Sequence, residues 1–94
     1  MYIVLEVPHR GQPEAYHFTN KADMLGAYGY QFGGVNIATI NQLKGLADDQ
    51  YSDFRVYRSL SAAKKDLNKL ESWPAHSLKG VDALKEVLVF AEQQ

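Results

Sequence analysis

Ninety-four residues, without a cysteine and with ten basic against eleven acidic side chains, describe one compact domain over 1–94 that has no thiol chemistry, thiolate metal site or disulfide. A formal charge of −1 removes the broad positive field on which general attraction to nucleic acid or anionic membranes rests. The apolar fraction of 46% is enough for a folded core, and no stretch approaches the length of a membrane span.

Along the chain, Tyr2 to Val7 is aliphatic, β-branched at Ile3, Val4 and Val7, and closed by Pro8, which predicts a strand. Ile3, Leu5 and Val7 fall on one side of it, and Tyr2, Val4 and Glu6 on the other. Neither side is wholly polar, so this strand belongs inside a sheet. Pro8 to Pro13 reads as a turn, which makes an antiparallel hairpin with a second strand over Glu14 to Thr19. There Tyr16 and Phe18 are expected to face the core. Asn20 and Asp23 have the chemistry of a helix start, an amide cap followed by an acid in the first turn. Ala22, Leu25 and Tyr28 would face inward, while Gly26 and Gly29 keep the helix short.

The run GAYGYQFGG over 26–34 interleaves glycines with Tyr28, Tyr30 and Phe32. It implies tight turns or close backbone approach. Thr39 and Gln42 offer a capping box for a short helix carrying Ile40, Leu43 and either Leu46 or Ala47. Asp53 to Ser59 predicts a third strand, with Phe54 and Val56 on one face and Arg55 and Tyr57 on the other. The best-specified helix follows over Leu60 to Trp73, since Leu60, Ala63, Leu67 and Leu70 recur at helical spacing behind a serine cap. Pro74 ends it and Trp73 folds back as an apolar plug. Leu78, Val81 and Leu84 suggest a further turn or two of helix, against Gly80. Glu86 to Glu92 (EVLVFAE), apolar on both sides, reads as a fourth, internal strand.

These elements predict an α+β domain of two layers, with about four strands in a mixed or antiparallel sheet and helices on one face, loosely ferredoxin-like. The other sheet face would be open.

No catalytic residue, cofactor or metal is assigned. Acid–base chemistry needs a base within reach of its partner, yet His9, His17 and His76 share no helical face and match no ligand motif. A small hydrolase built on one of them is the least favoured reading. Gly29 to Gly34 has the glycine spacing of a phosphate loop, but Val35 and Asn36 stand where lysine and serine or threonine are required. The favoured reading is a small non-catalytic interaction or regulatory module in the cytoplasm. It would bind a protein partner, or a second copy as a homodimer, through the open sheet face and the 26–34 segment. Tyr28, Tyr30, Phe32, Arg55 and Tyr57 would be its contact residues. The alternative is single-stranded nucleic acid on His17, Arg55 and Tyr57, the basic and aromatic groups of that face. A membrane role is not expected.

Overall fold

The computed structural model describes residues 1–94. The sheet has three strands in the order β2-β1-β3. Central β1 (Tyr2–Pro8) pairs antiparallel with β2 (Glu14–Phe18) on one side and with β3 (Tyr51–Tyr57) on the other. The interior place of β1 follows from its two apolar faces: every residue from Ile3 to Val7 is buried.

Alternation along β1 divides the interior in two. Val4 joins Met24, Leu25, Tyr28, Ile37 and Leu43, which lie on and around α1 (Lys21–Gln31) and α2 (Ile40–Ala47). Ile3, Leu5 and Val7 join Ala63, Trp73, Leu84, Leu88 and Ala91 below α3 (Leu60–Leu67) and α4 (Val81–Glu92). Helices therefore cover both faces, and the expected two-layer plan with one open face is corrected to three layers.

The difference comes from α4, where a fourth strand was expected. Leu84, Val87, Leu88 and Ala91 are its buried residues, and their three- and four-residue spacing makes one helical stripe. Val89 and Phe90, 58% and 53% exposed, put apolar side chains on the outer surface. They hid the helical period and made the run resemble a strand buried on both sides. Gly80 does not break this helix because it stands just before it. A Cβ there would lie 3.0 Å from Val7 Cγ2 and 3.1 Å from Leu5 Cδ1, so the bare backbone lets the chain press against β1.

The other helix starts follow their caps. Asn20 Oδ1 accepts the Asp23 N–H at 2.8 Å, Thr39 and Gln42 form the reciprocal box, and the Ser59 hydroxyl accepts the Ala62 N–H at 3.1 Å. Helix α3 stops at Leu67, short of Trp73. The chain tightens into a 3-10 turn at Leu70–Ser72, and Trp73 plugs the core as its bulk suggested. A second 3-10 segment, Ala75–Gly80, leads into α4. After α1 the chain reverses through Gly33 and Gly34, both at positive φ. Gly29 lets Val35 approach, since a Cβ there would sit 2.4 Å from the Val35 carbonyl oxygen. No helix is long and apolar enough to cross a membrane.

Candidate functional site

The three aromatics of the glycine-rich run do not form one surface. Tyr28 is buried on the inner face of α1, with its ring among Phe18, Phe32 and Phe54. Phe32 is half-buried beside it. Tyr30 points the opposite way and is 87% exposed.

His17, Arg55 and Tyr57 do share a sheet face: Ile3 is flanked in register by His17 and Tyr57, and Leu5 by Arg55. That face lies under α3 and α4, so no open sheet surface carries them. Arg55 is committed internally. Its Nε meets Asp53 Oδ2 at 2.6 Å, its Nη1 meets Asp66 Oδ2 at 2.7 Å, and its guanidinium lies 4.0 Å from the Trp73 ring centre. The Tyr57 hydroxyl donates to the same Asp66 oxygen at 2.5 Å, and Ser77 Oγ donates to Asp53 at 2.6 Å. Burial pushes the Tyr57 hydroxyl well up, and the Asp66 carboxylate adds to the shift. For Asp66, burial would raise the pKa, but the Tyr57 hydroxyl and the Arg55 guanidinium outweigh it and hold the carboxyl below its usual range. Arg55 Nε and Nη1 and the hydroxyls of Tyr57 and Ser77 all bond to the Asp53 and Asp66 carboxylates inside the domain. The role of this cluster is to fasten α3 and the 3-10 segments that follow it to the sheet.

His9 and His76 are exposed, and His17 lies edge-on to Phe90 with ring centres 6.1 Å apart. No group of three histidine, aspartate or glutamate side chains is placed to hold a metal ion.

Four clefts open on the surface, two of them around residues 35–38 and two beside the edge strand β2. Its position in the sheet leaves one side of the strand without a neighbour, and such an edge offers unpaired N–H and C=O groups. A cleft opens on each side of it. One, of about 540 Å³, lies between β2 and α4 and is walled by Ala15, His17, Glu86, Val87 and Phe90 among others. The other, of about 330 Å³, lies between β2 and α1 and is lined by Glu6, Tyr16, Phe18, Ala27, Tyr28 and Gln31.

Sequence reasoning missed the chemistry of the second cleft. The hairpin pairs Glu6 directly with Glu14, and like charges at that position destabilise a sheet. Glu6 is only 7% exposed. Its Oε2 accepts the Tyr28 hydroxyl at 2.6 Å. Burial pushes the Glu6 carboxyl above its usual range and Glu14 adds to the rise, while the hydroxyls of Tyr28 and Tyr51 work the other way. Burial, reinforced by the Glu6 charge, pushes Tyr51 up to about 12. The Tyr51 hydroxyl accepts from Gln31 Nε2 at 2.8 Å, and Tyr16 donates to Glu14 at the rim. The signal was present in the turn: prolines at 8 and 13 fix where the hairpin folds, and the fold point sets which residues face each other.

No protein-family model matches the chain, and neither a curated protein nor a solved structure matches it.

Proposed function

We propose that this domain is a non-catalytic interaction module that takes an extended segment of a partner protein along the free edge of β2. The observation carrying this reading is the placement of that edge between two clefts. Side chains alternate across a strand, so a segment paired with β2 would send successive residues towards α4 and towards α1 in turn. Main-chain hydrogen bonds would supply affinity and the clefts selectivity, the division of labour in strand addition. Exposed Phe90 on the α4 wall and Tyr16 at 39% exposure add apolar contact where the guest would lie.

A second copy of the chain is the competing guest. Antiparallel self-pairing of β2 centred on Tyr16 would set Glu14 against Phe18 of the other copy, so like charges do not block it. The test is selection of ligands from a random peptide library, followed by N-methylation of alternate backbone amides in the ligand obtained. Strand docking requires that methylation at one set of alternate amides abolishes binding while the other set is tolerated, with NMR shifts centred on residues 14–18. Ligands that dock as helices, or that shift other residues, overturn the reading. A dimer in sedimentation with slowed hydrogen exchange across β2 assigns the edge to self-association instead.

A further inference from the structure

We propose that the cleft beside Glu6 receives one positively charged side chain, lysine or arginine, from the segment that pairs with β2. This rests on the strand-docking reading and adds the chemistry of the guest. Glu6 lies on the central strand, on the same face as Val4, in a place where the fold itself calls for an apolar residue. No basic group of this chain answers it: the ion pairs are Arg55 with Asp53 and Asp66, and Lys64 with Glu92. Tyr28 satisfies Oε2. The only other group that acts on the carboxylate as a donor is the neutral Tyr51 hydroxyl, so no cation reaches it. A carboxylate that is nine-tenths buried thus has hydroxyl partners but no cation, in a residue that lines an open cleft.

The walls suit an organic cation. Tyr16, Phe18 and Tyr28 supply aromatic rings beside the Glu6 carboxylate, with Glu14 its register partner on β2, and a cation so placed gains from both ring faces and charge-assisted hydrogen bonds. Two carboxylates without a third ligand do not make a metal site. The reach also fits. A guest strand beside β2 stands two strand spacings, roughly 10 Å, from β1, a gap that a lysine or arginine stem and the glutamate side chain close between them. A bound cation would relieve the opposition of Glu6 and Glu14, which in the unliganded domain is offset only by neutral tyrosine hydroxyls.

The test uses blocked heptapeptides of alternating threonine and valine, with lysine, arginine or norleucine at the third, fourth or fifth position. Each is titrated into the isotope-labelled domain and followed by NMR. Strand docking requires all of them to shift the amides of residues 14–18. The cation site requires the best lysine or arginine peptide to bind about tenfold or more tightly than its norleucine counterpart, and Glu6→Gln to bring it down to the norleucine level. Equal binding of the charged and norleucine peptides, or an advantage that survives Glu6→Gln, overturns it. If no peptide shifts the β2 amides, docking fails by itself. The cleft is then judged with n-butylammonium against n-butanol: shifts at Glu6 and the Gln31 side chain with the ammonium alone uphold the site, and their absence overturns it.

Discussion

Replacing Glu6 by glutamine keeps the shape of the side chain and an oxygen for the Tyr28 hydroxyl, but removes the charge that faces Glu14. Glu6 has a folded pKa above its unfolded value of 4.5. Its contribution to stability is therefore fully present below about pH 4.5 and is lost as the pH rises through the raised folded value. At pH 7 the wild type carries the cost of two opposed carboxylates and a desolvated charge, and the variant does not. Cross-strand side-chain pairs are worth about 0.2–1 kcal/mol, and like charges directly opposite act against the sheet, so Glu6→Gln should raise the melting temperature by about 1–8 °C at pH 7 for a domain of this size. The assay is thermal unfolding by circular dichroism at steps between pH 4 and pH 8. The gain should shrink towards zero on the acid side, where Glu6 is neutral in both states. A variant less stable than the wild type at pH 7, or a gain that does not vary with pH, would mean that Glu6 is held by its surroundings rather than opposed by them. Stability gained at the expense of ligand affinity is the usual mark of a residue kept for binding.

Asp66 should act with the opposite sign. Its folded pKa lies below the unfolded 3.8, so its contribution is present above that value and is lost as the pH falls through the lowered folded one. Asp66→Asn should cost about 1–2 kcal/mol in urea unfolding at pH 7, the low part of the range for hydrogen bonds to charged groups because the site is partly exposed, and the deficit should narrow in strong acid. Gly80→Ala should cost about 1–3 kcal/mol, since the added methyl meets Val7 and Leu5 in a filled core. An unchanged denaturation midpoint would show that β1 and the start of α4 are not in such close contact.

The elements legible in the sequence were those whose signal is local. The caps at Asn20 and Thr39, the two apolar faces of β1 and the sidedness of β3 are each set by a handful of neighbouring residues and were read correctly, while the serine cap of α3, open between Ser59 and Ser61 in the sequence, is Ser59. The last element was not legible by the same means. Val89 and Phe90 are apolar although they face outward, so hydropathy along 86–92 has no clean period. Only the covering of Ile3, Leu5 and Val7 by Leu84, Leu88 and Ala91 decides for a helix. That misreading carried the site with it, because Arg55 and Tyr57 look available only if their face of the sheet is bare. The Glu6–Glu14 pair lay in plain sequence, but its meaning required the hairpin register as well as the hairpin.

The order in which the layers close has a consequence for biosynthesis. Within the domain β1 is made before any helix, yet α4, which shields Ile3, Leu5 and Val7 together with Ala63 and Trp73, is made after the other elements. Until then a nascent chain with its hairpin formed leaves part of that aliphatic face uncovered, the kind of exposed patch that chaperones hold and that aggregates nucleate on. Fragments ending before residue 81 should therefore be recovered as insoluble material, whereas the whole domain stays in solution.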